Sequence, residues 1–568
     1  MSSEKITRAL QEPVAFAAVA QTLYEEKGMS SRERNGLNRF KKVCMVTLLA
    51  AGMLMGVAGG AKAIDFKAKG EWLVGFGVGE GVLTKNTRDT DGAKSKTNTE
   101  DQFGASQRIR LQLDAVASEA LSGTVYFEIG DQHWGKSDDG AALGADGNNQ
   151  VKVKNAYIDW LIPQTDARVR MGLQAAALPN VAGGSAIMDC DVAALTANYK
   201  FNENVGLTFM WARPVNDNFN GAFVDGNGNS STEKTNYLDN LDLFMLSMPL
   251  SFDGVEVTPW AMYGMRGKNS LRGLDDETYG SPWETSDGKL GLTIPGTNPG
   301  FNYANGLNPL NSSSTNKQYG SVFWAGLPVA ITMFDPLNIE FDINYGYSEA
   351  MGRYDVLKRG VDSVRASTER QGWLAKALVE YKLDWGVPGI FGWYASGDDG
   401  NVKNGSERMP SIAGAGNFTS FVGDGNLSWS PVANGCDWSM SYAGTWGIGA
   451  QLKDMSFIEN VSHTFRLAYW GGTNATSMVK YMKDASSWQA GYGGDGPYLT
   501  TNDGLLEFNL VNTWQAYENL SVNLELGYVA NMIDKDTWKK ASYNNGAGNG
   551  SFDKQDAWKA QVVFQYSF

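Results

Sequence analysis

Apolar and polar residues alternate along much of the chain from residue 64 onward, a pattern typical of β-strands with one apolar face. In AWKAQVVFQYSF, residues 557–568, the apolar positions from Trp558 onward share one parity except at Val563. The same alternation recurs in RIRLQLDA (108–115), LNIEFDINY (337–345) and LSVNLELGY (520–528). The pattern therefore predicts an all-β protein.

Two architectures use such strands: a soluble sandwich with its apolar face inward, or a membrane barrel with its apolar face toward lipid. Short turns such as PQTD at Pro163, FDG at Phe252 and WGVP at Trp385 alternate with long polar connections such as residues 267–318. Outer-membrane barrels have this asymmetry, with short periplasmic turns and long extracellular loops. We predict a transmembrane antiparallel β-barrel of about 18 strands, with 16 as the alternative.

Two predicted strands, after Val387 and around Trp446, rest on the least regular pattern because the stretch between them is loop-like. Tryptophans near predicted strand ends are expected at the membrane interfaces, with core packing as the alternative; they are Trp72, Trp134, Trp160, Trp211, Trp470 and Trp514.

Composition excludes two classes of protein. The 568-residue chain has a formal net charge of −14, which argues against nucleic acid as a partner because phosphate binding needs clustered Lys and Arg. After residue 63 there is no run of about 18 apolar residues, so membrane-spanning helices are not expected. The mean hydropathy is −0.31 although the chain contains 18 Trp and 23 Tyr, so the chain is polar on average yet rich in aromatic residues.

The first 63 residues predict export. A basic segment, RERNGLNRFKK (32–42), precedes an apolar run that ends at Ala61-Lys62-Ala63, a small-x-small cleavage signal. We interpret residues 29–63 as a signal peptide, with a short membrane anchor as the alternative. Residues 1–28 are interpreted as a non-native extension from a mis-set start, and residues 64–568 as the barrel.

Several motifs now point to a known family. WYASGDDGNVKNGSERMP (393–410) resembles the outer membrane homotrimeric porins of sulfate-reducing, Desulfovibrio-type bacteria, and NAYIDW (155–160) with VRMGLQ (169–174) is similar to a hairpin of general Gram-negative porins. This resemblance implies a homotrimer in which each barrel has a water-filled pore and a third loop folds inward. It also implies that Phe568, with Phe564 and Tyr566, is the signal read by the barrel assembly machinery.

Residues opposite the lipid-facing set are expected to line the pore. They are Arg108, Arg110, Glu128, Arg168 and Arg170 on early strands, and Glu340, Asp342, Glu380 and Glu525 on later ones. Two walls of opposite charge would create a field across the pore that favours polar solutes, and the arginines would favour small anions. The alternative is that these groups only solvate a wide lumen and form ion pairs.

The segment LPNVAGGSAIMDCDV (178–192) occupies the position of the third external loop and is less hydrophilic than its neighbours. We predict that it folds into the lumen and forms the constriction, with Asp189 and Asp191 facing the arginines; an ordinary surface loop is the alternative. Cys190 and Cys436 either form a disulfide that pins this constriction or remain unpaired.

No enzyme is predicted. The chain has two histidines, His133 and His463, and no G-x-S-x-G, H-E-x-x-H or P-loop motif, so we expect no catalytic residue, metal or cofactor. The sequence favours a passive porin for small hydrophilic solutes, with outer-membrane lipid and lipopolysaccharide as its surroundings. The alternatives are a substrate-specific channel whose lumenal aromatic residues form a binding track, and an adhesive or structural barrel.

Overall fold

The computed structural model describes the greater part of residues 64–568. Its residues fall into two compact units: the large one comprises residues 67–114 and 119–568, and the described part of the small one is residues 64–66 and 115–118. The described residues are 64–81, 83–85, 102–137, 141–143, 151–216, 223–224, 230–231, 238, 240–268, 297, 317–359, 362–414, 418–419, 441–482, 497–541 and 553–568.

The predicted fold class is confirmed: the chain forms a closed antiparallel β-barrel of 18 strands. The first nine strands are β1 (Asp65–Glu80), β2 (Gln102–Ser118), β3 (Leu121–His133), β4 (Val151–Leu161), β5 (Arg168–Ala177), β6 (Asp189–Lys200), β7 (Gly206–Asn216), β8 (Asn240–Ser247 and Leu250–Phe252) and β9 (Val255–Val257 and Trp260–Gly267). The last nine are β10 (Tyr319–Ile331), β11 (Leu337–Ser348), β12 (Arg370–Tyr381), β13 (Val387–Ala395), β14 (Thr445–Ile458), β15 (Val461–Gly472), β16 (Gly504–Tyr517), β17 (Leu520–Asn531) and β18 (Ala557–Ser567).

Each strand pairs with its neighbours in the sequence, and β1 closes the barrel against β18 in a register that runs from Glu71 opposite Ser567 to Glu80 opposite Trp558. Strands β8 and β9 are each interrupted beside a proline, Pro249 and Pro259 respectively. Proline has no N–H to donate to the ladder, which explains the breaks. The two strands predicted from the least regular pattern are β13 and β14.

The two faces of the strands differ as the alternation predicts. Large apolar side chains on one parity are exposed on the outside of the barrel, among them Ile343 on β11, Ile390 on β13 and Ile448 on β14. Five of the predicted interfacial tryptophans are also exposed, but Trp470 is buried on the inward parity of β15. A closed ladder leaves no strand edge unpaired, and unpaired backbone groups would be costly in an apolar environment.

Short and long connections alternate around the barrel. The short turns cover residues 119–120, 162–167, 201–205, 253–254, 332–336, 382–386, 459–460 and 518–519. The long connections, on the opposite rim, include further elements: a hairpin of Arg353–Lys358 with Asp362–Ser367, a 3₁₀-helix at Thr476–Tyr481 and a helical turn at Lys535–Trp538. Among the described residues, no helix is long and apolar enough to cross a membrane.

An apolar cluster lies where the inner faces of the strands meet some of these long connections. The inner faces contribute buried residues such as Met262, Trp324 and Trp393, while the connections contribute Ile187 and Met409. Burial of these side chains inside the barrel means that part of its interior is dry and packed.

Candidate functional site

The arginines of β2 project into the lumen and are paired there. Arg110 lies 2.8 Å from Glu128 (Nη2 to Oε2) on β3 and 3.3 Å from Glu71 (Nη1 to Oε1) on β1. Arg108 lies 3.7 Å from Asp131 (Nη1 to Oδ1). Each cation therefore has an acidic partner on an adjacent strand, because adjacent strands of an antiparallel sheet bring their inward residues side by side.

Strand β5 supplies the next two arginines. Arg170 donates from Nε and Nη2 to the two carboxylate oxygens of Asp159 on β4, at 2.9 and 2.8 Å, and its guanidinium carbon lies 4.2 Å from the centre of the Tyr157 ring. A bidentate pair of this kind fixes the orientation of the guanidinium plane. Arg168 shares the inward parity of β5 and is exposed.

The carboxylates of the later strands are also engaged. Glu380 on β12 accepts from Lys453 Nζ at 2.9 Å and from Gln451 Nε2 at 2.8 Å, both on β14. Asn338 donates to Glu340 at 3.1 Å and Gln561 to Glu525 at 2.7 Å; Asp342 lies 3.2 Å from Lys376 Nζ. Apart from Arg168, the predicted pore residues thus take part in local ion pairs or hydrogen bonds, and the field of two oppositely charged walls stays a prediction.

Residues 178–188, between β5 and β6, form what we call the first inner segment. Its Gly184 carbonyl accepts a hydrogen bond from Lys376 on the inner face of β12, and its Gly183 carbonyl accepts from Tyr442 Oη at 2.9 Å. Strands β7 to β11 lie between β6 and β12 in the barrel wall. A segment anchored at β5 and β6 that contacts the inside of β12 extends into the lumen.

Residues 396–414, after β13, form the second inner segment. Arg370 on β12 is fully buried and donates to the carbonyls of Arg408 and Met409, both at 3.0 Å. On β10, Trp324 Nε1 donates to the Pro410 carbonyl at 2.9 Å. The two inner segments also bond to each other through Ile412 N and the Ile187 carbonyl, at 2.8 Å. Together they narrow the lumen.

Aromatic residues anchor this region to the wall. On the inner face, Trp393 lies 4.3 Å from Trp470 (ring centroids), and Phe391 lies 4.6 Å from Phe418, which follows the second inner segment. Trp393, Phe391, Trp470 and Phe418 are all at most 5% exposed. Because the connections cover these rings, the rings do not form an open binding track of the kind that the substrate-specific alternative predicts.

A turn in the second inner segment carries a dense polar network. Asp398 accepts hydrogen bonds from Ser406 Oγ at 2.6 Å and Tyr498 Oη at 2.6 Å. Glu407 accepts from Asn404 Nδ2 at 2.9 Å and from the Asp399 backbone N–H at 3.0 Å. Burial raises the pKa of Glu407 to about 7. This carboxyl group therefore changes its protonation state near neutral pH.

The predicted constriction residues lie elsewhere than expected. The structure places Asp189 and Asp191 in strand β6, where they pair with Ala177 and Ala175 of β5, and not in the inner segment. Asp191 accepts from Lys154 and from Asn155 Nδ2, both on β4. The placement of these two carboxylates in the loop is wrong because the strand pairing with β5 begins three residues before Val192, whereas their part in the constriction stays a prediction.

The disulfide prediction pairs two cysteines that the structure describes unequally. Cys190 lies in β6, whereas Cys436 lies outside the described residues, so the disulfide stays a prediction.

Within the described residues, no group of three or more His, Cys, Asp or Glu side chains is arranged to hold a metal ion. His463 bonds to Asn512 Oδ1 at 2.6 Å across β15 and β16.

The aromatic residues of the predicted assembly signal lie on β18 and just after it. Phe564 and Tyr566 are outward-facing and exposed. Phe568 exchanges two backbone hydrogen bonds with Gly70 of β1, at 2.8 and 3.0 Å. Val563, the exception to the alternation, is fully buried and packs with Leu73 of β1 on the inward face.

Sequence reasoning missed three cations that hold the inner segments or lie within them: Arg370, Lys376 and Arg408. Lys376 shares the inward parity of β12 with the predicted pore residue Glu380, so the alternation itself carried that signal. What the alternation did not show is that Lys376 is covered by a connection that enters the lumen.

No protein-family model matches the chain, and no curated protein matches it. Solved structures to which it is similar include OpdL of Pseudomonas aeruginosa, with 8% identity, a TM-score of 0.45 and coverage of 89% of this chain and 99% of that one. A BenF-like porin from Pseudomonas fluorescens Pf-5 has 8% identity, a TM-score of 0.44 and coverage of 89% and 98%. OpdQ of Pseudomonas aeruginosa has 12% identity, a TM-score of 0.42 and coverage of 89% and 98%.

Proposed function

We propose that the chain is an outer-membrane porin that forms a water-filled channel for passive diffusion of small hydrophilic solutes and ions. The observation that carries this proposal is the reversed polarity of the closed barrel. Large apolar residues such as Ile390 and Ile448 are exposed on the outside, while ionised residues such as Arg170 and Glu380 lie on the inside. Such a surface suits lipid outside and water inside.

The two inner segments determine which solutes can pass through the channel. Because they occupy part of the lumen, solutes are sorted by size at their level. The lumenal ion pairs present both signs of charge to water, so polar solutes pass more easily than apolar ones. Arg168 and Arg170 are more accessible than Arg108 and Arg110, being at least a third exposed, and they support a weak preference for small anions.

The remaining features of the proposal concern export and assembly. The predicted signal peptide, residues 29–63, lies outside the described residues; it would direct export, and the barrel assembly machinery would insert the barrel with Phe568 as its signal. The exposed apolar belt fits contacts with lipid and lipopolysaccharide and leaves room for contacts between three copies. We include the homotrimer in the proposal.

Single-channel recording of the purified, refolded protein in a planar bilayer tests the proposal. We expect large, long-lived conductance steps that appear in groups of three, with a reversal potential in a salt gradient that has the sign of anion preference. Protein kept unfolded in the same detergent is the control. A folded barrel that shows no conductance would refute the porin and favour the adhesive or structural alternative.

A further inference from the structure

Lys376, like Arg370, bonds to an inner segment as well as to the wall, and it is the cation that contacts the first inner segment. Its side chain is fully buried, lies 3.2 Å from Asp342 on β11, and donates to the backbone carbonyl of Gly184. By contrast, the Lys453–Glu380 pair joins two strands of the wall, at 2.9 Å. Lys376 therefore connects the first inner segment to the barrel.

The segment is shaped to present its backbone to this wall. Gly183 and Gly184 have φ values of +63° and +76°, a left-handed conformation that glycine adopts without strain. A Cβ atom at Gly183 would lie 2.4 Å from Tyr442 Oη, the group that donates to the Gly183 carbonyl. Two successive carbonyls are thus directed at Lys376 and Tyr442, and only glycine allows the close approach at Gly183.

A buried ammonium group needs partners that offset the loss of water. At Lys376 these are the Asp342 carboxylate and the Gly184 carbonyl, and the ammonium also lies 5.4 Å from the centre of the Tyr442 ring. Moving the segment away from the wall would take the Gly184 carbonyl from Lys376 and break the hydrogen bond from Tyr442 Oη to the Gly183 carbonyl. The attached position of the segment is therefore favoured over a detached one.

We propose that Lys376, held by Asp342, is a positioning residue that latches the first inner segment across the lumen and thereby sets the width of the channel. The proposal rests on the porin function. Because Asp342 balances its charge, Lys376 acts through the position of the segment and not through an electric field in the pore. Release of the latch would widen the channel.

Three variants test the latch. Lys376→Met removes the cation and leaves Asp342 buried without it, so we expect the latch to be released and the barrel to be less stable. Lys376→Met combined with Asp342→Asn removes the unbalanced charge and restores much of the stability while the Gly184 carbonyl still lacks its donor. Lys453→Met is the matched control, since it breaks a lumenal ion pair that does not contact an inner segment.

Two readouts are needed. The first is single-channel conductance, for which we expect a rise of about twofold or more in the single and the double Lys376 variants, and no rise in Lys453→Met. The second is the rate at which a water-soluble maleimide labels Ala182→Cys, a fully buried position of the segment, in protein whose Cys190 and Cys436 are replaced by Ser. Labelling is expected to accelerate in both Lys376 variants.

The outcomes separate the latch from simpler explanations. If Lys376 only stabilises the barrel, the double variant regains both wild-type conductance and slow labelling, and the latch is refuted. Unchanged conductance and labelling in Lys376→Met also refute it. If the wild-type barrel does not conduct but labelling still accelerates in both variants, the porin function fails while the attachment of the segment by Lys376 stands.

Discussion

Phe418 gives the clearest quantitative test of how the inner segments are held. Its ring is 4% exposed and its centroid lies 4.6 Å from that of Phe391, 5.9 Å from that of Trp393 and 6.1 Å from that of Tyr442. Phe391 and Trp393 belong to β13, so the Phe418 ring joins the connection after β13 to the barrel wall. Phe418→Ala removes this anchor without altering a strand.

The free energy cost of Phe418→Ala follows from the burial of the ring. Replacing a buried phenylalanine by alanine costs about 3–5 kcal/mol. We take about 3 kcal/mol, because the segment lies beside the lumen and water can enter the space that the ring leaves. Since each 1.4 kcal/mol, roughly, changes an equilibrium constant tenfold, the detached population should rise by about two powers of ten.

Trypsin cleavage after Arg408 measures that population. Arg408 is 1% exposed and lies in the second inner segment, so trypsin reaches it only when the segment detaches. When detachment is fast relative to cleavage, the cleavage rate follows the detached population. We therefore expect the Arg408 site to be cut about a hundredfold faster in Phe418→Ala, as measured by the mass of the fragments over time.

Phe341→Ala is the matched control, since it removes the same ring from the exposed outer face of β11. Its cleavage rate should stay near that of the wild type. Equal rates in Phe418→Ala and wild type would show that the aromatic contacts do not hold the connection. An equal acceleration in both variants would show that the barrel as a whole had loosened.

Three further predictions concern selectivity, pH and closure. Arg170→Gln leaves the Asp159 carboxylate without its cation, so the reversal potential in a salt gradient should shift toward cation preference, and Asp159→Asn should shift it the other way. The pKa of Glu407 is raised to about 7, so the stability that its protonated carboxyl group gives the folded turn is fully present below the ordinary pKa of a glutamate and is lost as the pH rises through about 7. Current noise should therefore be greater at pH 8 than at pH 5, and Glu407→Gln should remove that difference. Deletion of Phe568 removes its two backbone hydrogen bonds to Gly70, so the yield of folded barrel should fall more than in Phe568→Ala, as judged by heat-modifiable mobility in gel electrophoresis.

The barrel was predictable because its strands follow a two-residue period that depends only on which face meets an apolar environment. The alternation at residues 337–345 and 520–528 therefore appears directly as β11 and β17. Even the irregular stretch beyond Val387 gave β13, since the short turn before it fixed the point at which the strand begins.

The interior was less predictable, for a physical reason. The alternation shows which side of the wall a residue such as Lys376 or Trp470 faces. Whether an inward residue contacts water or protein depends on the connections, whose sequences have no periodic pattern. Trp470 was expected at a membrane interface, yet it donates to Glu507 at 3.0 Å inside the barrel. Likewise, ion pairing between neighbouring strands depends on register, which the alternation leaves open.

The wall of this barrel holds its inner segments through hydrogen bonds from its side chains to their backbone carbonyls. Arg370 binds the carbonyls of Arg408 and Met409, Lys376 binds that of Gly184, and Trp324 binds that of Pro410. A carbonyl oxygen is present at every residue, so outside the left-handed glycines Gly183 and Gly184 these attachments do not depend on which side chains the segments carry. The lining of the channel can therefore diversify through evolution, or be redesigned, while its position is inherited unchanged from the wall.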